Sequence, residues 1–170
     1  MEIYKFIVDT REQTPYNFKG ESVKVKTLKT GDYSIAFNDI DYDNEIIIER
    51  KTINDFVGVV CQSRERFLKE LERSMEIPHF YVVIEGSWED LEKHNYISKI
   101  NPNSVIESIL GWSIKYGAHF IMTGNRTRGE RLTKKILLHF LKYKTTKKKE
   151  KKKDLLDVSN SEPNEFSCLI

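Results

Sequence analysis

The chain has 170 residues, of which 39% are hydrophobic and 32% are charged. This length suits one domain of about 100–150 residues followed by an extra segment. Lysine and arginine number 28 against 26 aspartate and glutamate residues, so the formal net charge is only +2. The total charge therefore does not indicate a nucleic-acid-binding protein, and a basic block is confined to the segment between Lys142 and Lys153.

Several protein classes are excluded by what the sequence lacks. Cys61 and Cys168 are far apart and the histidines have no zinc-binding spacing, so neither a disulfide framework nor a zinc site is expected. No secretory signal is recognisable, and no stretch reaches the ~20 apolar residues of a membrane helix. We therefore expect a soluble intracellular protein without membrane contact. It would be cytoplasmic, in the host cell if the source is a virus or phage, or nuclear in a eukaryote.

The first 50 residues are predicted to form four strands. Ile46, Ile47 and Ile48 are consecutive β-branched residues, which suits a strand buried on both faces. Pro15 and the polar stretch after Phe37 interrupt the pattern. The predicted strands are Ile3–Val8, Ser22–Leu28, Tyr33–Phe37 and Glu45–Glu49.

The period of the apolar residues changes at Thr52, where helical spacing begins. Thr52 or Asn54 could cap the first helix, and a break is expected near Gln62 and Ser63. The predicted elements that follow are a helix from Ile53 to Val60, a helix from Phe67 to Met75, a strand His79–Glu85, a short helix after Gly86, a helix from Asn103 or Ser104 to Tyr116, a strand Ala118–Met122 and a helix Arg128–Lys144.

This order of elements predicts an α/β fold with a central mixed β-sheet flanked by helices. The folded domain is expected to span residues 1–143. Residues 144–170, lysine-rich and then acidic, lack core-forming side chains and are expected to be a disordered tail. The apolar end of that tail, residues 165–170, could dock on a partner.

Acidic side chains are concentrated at the predicted strand ends. Lys51 lies two residues after Glu49, so both side chains leave a strand on the same face. Carboxylates can hold Mg²⁺ for phosphodiester hydrolysis, and a lysine can contact the scissile phosphate. The acids are Asp9, Glu12, Asp32, Glu49 and Asp55. Taken singly, each could be a turn residue or a solvated strand end, but their recurrence beside Lys51 favours a metal site.

Three segments resemble a known family. Residues 8–12 (VDTRE), 31–35 (GDYSI) and 48–55 (IERKTIND) look like the V-D-x-R-E, G-D-Y and E-R-K-x-x-x-D motifs of XPF-type structure-specific endonucleases, in the same order. The resemblance covers roughly residues 1–143. It implies a restriction-endonuclease-like fold and dependence on Mg²⁺ or Mn²⁺.

The resemblance also implies roles for individual residues. Asp32, Glu49 and the backbone carbonyl of Arg50 would bind the metal, and Lys51 would be the catalytic lysine. Asp9 and Glu12 would complete the acidic pocket and could serve a second ion. The residues that would order the surroundings are Arg11, Arg50 and Asp55. The candidate DNA contacts are Arg11, Arg64 and Arg66.

The sequence thus predicts a metal-dependent DNA endonuclease that cuts branched or junction DNA during repair, recombination or replication. Family members usually carry a helix-hairpin-helix module, which residues after Tyr143 are too few to form, so the preferred DNA structure is open. The alternatives are a resolvase, exonuclease or restriction-type nuclease on the same fold, or a non-catalytic DNA-binding subunit. The apolar helix before Gly117 and the strand after it could form a homodimer interface.

Overall fold

The computed structural model describes residues 3–159, with side chains described for residues 3–146. The elements are the strands β1 (Tyr4–Asp9), β2 (Val23–Lys26), β3 (Tyr33–Phe37), β4 (Ile40–Asp41) and β5 (Ile46–Thr52), the helices α1 (Ile53–Cys61) and α2 (Arg64–Ser74), the strand β6 (His79–Glu85), the helices α3 (Trp88–Glu92) and α4 (Pro102–Tyr116), the strand β7 (His119–Met122) and the helix α5 (Arg126–Ser159). The chain divides into two units, residues 1–137 and residues 138–170. The described part of the second unit is the later part of α5.

The seven strands of the first unit form one mixed sheet in the order β2-β1-β3-β5-β6-β7, with β4 paired to β3. Strand β3 is antiparallel to both β1 and β5, whereas β5, β6 and β7 are parallel to one another. The carboxyl ends of β5, β6 and β7 therefore lie along the same edge of the sheet. The predicted mixed sheet flanked by helices is confirmed.

The two faces of the sheet have different coverings. One face packs under α1, α2 and α4 in a core that includes Ile47, Phe56 and Trp112. The other carries an aromatic cluster in which Tyr16 stacks on Tyr33, with ring centroids 4.9 Å apart. Because β5 is buried on both faces, Ile46, Ile47 and Ile48 are at most 1% exposed, as the β-branched run predicts.

Several predicted boundaries are confirmed and others are shifted. Thr52 caps α1 by accepting a hydrogen bond from the Asp55 amide, and Gly117 ends α4 in the left-handed conformation. Asn101 caps α4, so the caps predicted at Asn103 or Ser104 are wrong by one turn or less. Pro102 at the first helical position explains this earlier start, because its fixed φ suits a helix N-terminus.

The predicted end of the last helix at Lys144 is wrong, because α5 continues to Ser159. Lysine, glutamate and leucine are good helix formers, and no glycine or proline occurs between Gly129 and Pro163. The domain boundary at residue 143 and the character of the tail stay predictions. The expected docking segment, residues 165–170, lies outside the described residues.

No helix within residues 3–159 is both long enough and apolar enough to cross a lipid bilayer.

Candidate active site

Main-chain hydrogen bonds hold Asp32 between two strands. The Asp32 amide donates to the Ile48 carbonyl at 2.9 Å, and the Asp9 amide donates to the Asp32 carbonyl at 2.8 Å. The Asp32 carboxylate in turn accepts a 2.7 Å hydrogen bond from the Arg50 amide. The position of this carboxylate is therefore set by the pairing of β1, β3 and β5.

Gly31 makes this close approach possible. Its φ is +71°, and a Cβ atom at this position would lie 2.2 Å from Ile47 Cγ2. A larger residue would meet both a strained backbone and a steric overlap. The Gly31-Asp32 turn predicted from sequence thus has a packing reason as well as a conformational one.

Glu49 and Lys51 leave β5 on the same face, as predicted from their spacing. Lys51 Nζ donates to Glu49 Oε1 at 2.5 Å, and Nζ lies 5.3 Å from the centre of the Phe67 ring. Glu49 is only 6% exposed. The ammonium group is therefore held between a carboxylate and an aromatic ring.

Burial strengthens the electrostatic interactions in this group. Burial and the neighbouring Asp32 raise the pKa of Glu49 well above its usual value, and burial raises the pKa of Asp32 to about 7. Burial alone would lower the pKa of Lys51, but the attraction of Glu49 outweighs it and the pKa is raised. Two crowded carboxylates of this kind are stabilised by a cation.

These side chains line a cleft of about 220 Å³. The lining residues are Asp9, Arg11, Lys29, Thr30, Gly31, Asp32, Glu49, Lys51, Arg66, Glu70 and Arg73. The cleft thus brings together Asp32, Glu49 and Lys51, the residues that the motifs predict as its centre.

Asp9 lines the cleft, but its carboxylate is fully engaged. Its Oδ1 accepts from the Arg11 amide at 2.8 Å and from Arg11 Nε at 2.7 Å, while Oδ2 accepts from the Leu28 amide at 2.6 Å. Burial would raise the pKa of Asp9, but these hydrogen bonds lower it. Asp9 therefore anchors Arg11 and the main chain at Leu28, and its role in binding a second ion stays a prediction.

Glu12 lies with Arg50 and outside the residues that line the cleft. Arg50 Nη1 is 3.4 Å from Glu12 Oε1, and the Arg50 guanidinium forms a two-point ion pair with Glu85 at 2.7 and 2.9 Å. Arg126 approaches the same Glu85 carboxylate at 3.8 Å. Arg50 and Glu12 thus belong to a network on the face of β5 opposite Lys51.

The remaining predicted residues separate into three environments. Asp55 completes the start of α1, because its carboxylate accepts a 2.6 Å hydrogen bond from the Thr52 hydroxyl. Arg64 lies over the Trp112 ring at 4.8 Å, donates to Ser108 Oγ at 3.0 Å and is not among the residues that line the cleft. Arg66 lines the cleft. Only the second of the two predicted arginines of α2 is therefore placed to meet a ligand there.

Glu70 is the acid that sequence reasoning missed. It lines the cleft from α2, its carboxylate is 3.4 Å from the Thr30 hydroxyl, and its charge raises the pKa of both Asp32 and Glu49. Residues 66, 70 and 73 recur at helical spacing beside the buried Phe67 and Leu71. This spacing could have predicted the contribution of Glu70, because it places Arg66, Glu70 and Arg73 on one side of α2.

The residues present fit a divalent cation with oxygen ligands. No group of three or more His, Cys, Asp or Glu side chains suited to a metal occurs within the described residues. Asp32 and Glu49 provide two carboxylates, and a Mg²⁺ site in a protein commonly uses only one or two. Asp32 Oδ1 and Glu49 Oε2 accept no hydrogen bond from the described part of the chain, so each is available as a ligand.

The sequence matches the ERCC4 domain family over residues 8–136. The chain belongs to the ERCC4 domain family. This membership confirms the XPF-type nuclease family that the three motifs predict, and the match contains every residue of the candidate site.

Relatives of known structure agree with the fold. XPF from Aeropyrum pernix in complex with DNA superposes with a TM-score of 0.64 at 21% identity, over 81% of this chain and 65% of that one. A second structure of Aeropyrum pernix XPF gives a TM-score of 0.60 at 16% identity, over 98% of this chain and 65% of that one. These matches show that the ERCC4 domain here has the XPF fold.

A Methanocaldococcus jannaschii protein provisionally named an ATP-dependent RNA helicase, MJ1505, is 26% identical over 125 residues. The match covers 71% of this chain and 14% of that protein. The chain thus spans about one seventh of this relative's length and 65% of the two Aeropyrum structures.

Proposed function

We propose that this ERCC4 domain protein is a metal-dependent endodeoxyribonuclease that hydrolyses phosphodiester bonds in branched or junction DNA. The observation that carries the proposal is the buried Glu49–Lys51 pair facing Asp32 in one cleft. A carboxylate pair that can hold a metal ion beside a fixed ammonium group can stabilise the charge that develops during phosphodiester hydrolysis. Repair, recombination or replication would supply such substrates.

Asp32 and Glu49 would hold Mg²⁺ or Mn²⁺, with the Arg50 carbonyl as a further ligand. The bound ion would neutralise charge on the phosphate and lower the pKa of water. Lys51, oriented by Glu49, would donate to a phosphate oxygen that gains charge during cleavage. Glu70 borders the same cleft and could complete the ligand set through a water molecule.

The comparisons support DNA as the substrate through one relative. The Aeropyrum pernix XPF structure is a complex with DNA. Arg66 and Arg73 on α2 line the cleft and could contact backbone phosphates on either side of the cleaved bond.

A metal-dependent cleavage assay tests the proposal. Labelled fork, flap, four-way junction, nicked and linear duplex DNA would be incubated with the chain in Mg²⁺, Mn²⁺ or EDTA. We expect metal-dependent cuts near the branch point, and losses of at least about 10³-fold for Lys51→Ala and Asp32→Ala. Lys99→Ala, at an exposed loop position, is the matched control and should cut normally.

The same substrates separate the alternatives. Symmetrical cuts confined to four-way junctions would indicate a resolvase, progressive shortening from ends an exonuclease, and sequence-dependent cuts in linear duplex a restriction-type enzyme. DNA binding without cleavage under any metal condition would indicate a non-catalytic subunit and refute the proposal.

We also propose a homodimer, for which α4 offers an exposed apolar surface. Leu110 is 50% exposed and Ile114 is 87% exposed on this helix. Strand β7 is the last strand of the sheet and follows α4 directly. Light scattering should give about twice the mass of the chain, and Leu110→Lys with Ile114→Lys should give the monomer mass.

A further inference from the structure

A second cleft, rich in cations, lies where β7 ends and α5 begins. Its volume is about 220 Å³, and it is lined by Thr123, Arg128, Arg131, Leu132 and Lys135. No acidic residue contributes to the lining. Arg128, Arg131 and Lys135 follow one another at helical spacing, so their side chains lie on one side of the first turns of α5.

Other charged side chains on the same turns of α5 have partners elsewhere in the fold, which distinguishes them from the three cationic side chains that line this cleft. Arg126 contacts Glu85, and Lys134 forms an ion pair with Glu21. The acid of this segment, Glu130, accepts a 2.7 Å hydrogen bond from the Phe18 amide and is therefore directed elsewhere.

Within the described residues, Arg128, Arg131 and Lys135 have no carboxylate within ion-pair distance. Three like charges around one cleft repel one another, and the amino end of a helix adds further positive potential. An anion in the cleft would relieve this repulsion. Two guanidinium groups favour an anion with several oxygens, because each can donate two hydrogen bonds to it.

The sheet places this cleft on the same edge as the active site. Lys51 is level with Ile84 on β6, and Ile84 is level with Met122 on β7. Thr123, which lines the cation cleft, directly follows Met122. Two strand spacings separate β5 from β7, about 10 Å in all. This figure is the distance between the strands and not between the clefts, because the start of α5 contacts Glu85 on the sheet face opposite Lys51.

We propose that Arg128, Arg131 and Lys135 form a second DNA contact, which binds a backbone phosphate where the DNA continues past the carboxyl edge of the sheet. The identification of the anion as DNA rests on the proposed nuclease function, whereas the anion-binding character rests on the charges alone. The contact fixes DNA across the sheet edge and takes no part in bond cleavage.

Binding measured without cleavage tests this contact. The full chain carrying Lys51→Ala would be titrated against a fluorescein-labelled fork in EDTA, at 50 to 200 mM NaCl, by fluorescence anisotropy. The triple variant Arg128→Ala, Arg131→Ala, Lys135→Ala should bind at least about tenfold more weakly at 100 mM salt. The magnitude of its slope of log K against log salt should fall by about 0.9, since the contact holds one phosphate and each lost phosphate contact contributes about 0.9.

A matched triple variant controls for the loss of three positive charges. Lys19→Ala, Lys93→Ala, Lys99→Ala removes the same charge from exposed positions outside both clefts. It should keep the wild-type slope within about 0.5. Arg128→Lys with Arg131→Lys retains the charges but loses the paired guanidinium hydrogen bonds, so its salt slope should stay near the wild-type value while its affinity falls a few-fold.

Three results would overturn the proposal. The first is an unchanged slope and affinity in the cation-cleft variant. The second is equal weakening in the matched control. The third is an unchanged DNA slope with weakened binding of a poly-glutamate peptide, which would assign the cleft to an acidic protein partner.

Failure of the nuclease function would be seen separately. If the wild-type chain binds the fork but never cleaves it, the nuclease proposal fails and the binding comparison still decides the second contact. In an active chain, the cation-cleft variant should raise KM at least tenfold and keep kcat within about twofold. A lower kcat at unchanged KM would contradict the contact.

Discussion

Arg50 and Glu85 form a two-point ion pair between the neighbouring parallel strands β5 and β6. Arg50 Nε lies 2.7 Å from Glu85 Oε1, and Arg50 Nη2 lies 2.9 Å from Oε2. Both side chains are at most 10% exposed, and the hydrogen bond to Glu85 raises the pKa of Arg50. This pair fixes the strand segment that carries Glu49 and Lys51 on its other face.

Removal of Glu85 should destabilise the fold. Glu85→Ala leaves Arg50 buried without its main partner, which we expect to lower the free energy of unfolding by about 3 kcal/mol. Urea denaturation at pH 7 measures the change. Glu76→Gln, which breaks an ion pair with Lys29 whose side chains are about 70% exposed, should have little measurable effect. Equal effects of the two changes would contradict the structural role of Glu85.

The raised pKa of Asp32 predicts a pH-dependent stability. The ordinary pKa near 3.8 applies to the unfolded chain, whereas the folded value is about 7. The folded state therefore holds more protons between these values, so stability without metal should fall as pH rises from about 4 through 7. Asp32→Asn should reduce this fall in stability with rising pH and so raise the melting temperature at pH 8.

Thermal unfolding in EDTA from pH 4.5 to 8.5 measures this effect. Addition of Mg²⁺ at pH 8 should stabilise the wild type but not Asp32→Asn, because binding requires the ionised carboxylate. Asp39→Asn, at an exposed turn, is the control and should follow the wild-type curve. The raised pKa of Asp32 would be contradicted if the wild-type melting temperature in EDTA rose between pH 5 and 8, and rose more steeply than that of Asp32→Asn.

Gly31→Ala should damage both fold and site. The positive φ and the 2.2 Å approach of Ile47 Cγ2 should together cost about 2–4 kcal/mol. Gly111→Ala in α4 is the matched change, because its added Cβ would meet no atom within 4 Å beyond the adjacent residues and the helix's own backbone. It should stabilise by up to about 1 kcal/mol. Denaturation curves of both variants distinguish a specific steric effect from general sensitivity to alanine.

Arg64 and Arg66 should respond oppositely to alanine substitution. Arg64→Ala loses the contact with the Trp112 ring and the Ser108 hydrogen bond, so stability should fall by about 1 kcal/mol with little change in DNA binding. Arg66→Ala should weaken DNA binding several-fold and leave the melting temperature nearly unchanged. Melting curves measure stability, and anisotropy titrations measure DNA binding. Clearly weaker DNA binding by Arg64→Ala would show that Arg64 contacts a phosphate as first predicted.

Local pattern predicted the elements that carry the site. The β-branched run before Glu49 and the two-residue spacing to Lys51 were sufficient to predict a buried strand with both side chains on one face. The Gly31-Asp32 turn was likewise readable from local sequence. These features depend on side-chain alternation and turn chemistry, which are encoded within a few residues.

The missed features depend on contacts between residues distant in sequence. Glu85 meets Arg50 through the pairing of β5 with β6, and Glu70 reaches the cleft only because α2 packs beside β5. Asp9 accepts a hydrogen bond from the amide of Leu28, nineteen residues further along the chain. Sequence spacing cannot assign such partners, because tertiary packing decides them.

The main-chain links from Asp9 to Asp32 and from Asp32 to Ile48 have a consequence for divergence within the family. Side chains can change while backbone hydrogen bonds persist, so these links keep the reactive geometry independent of most substitutions around it. The segments between strands can then vary in length and charge at little risk to the chemistry. On the proposed nuclease function, changes in these segments would alter which DNA the chain binds without moving Asp32.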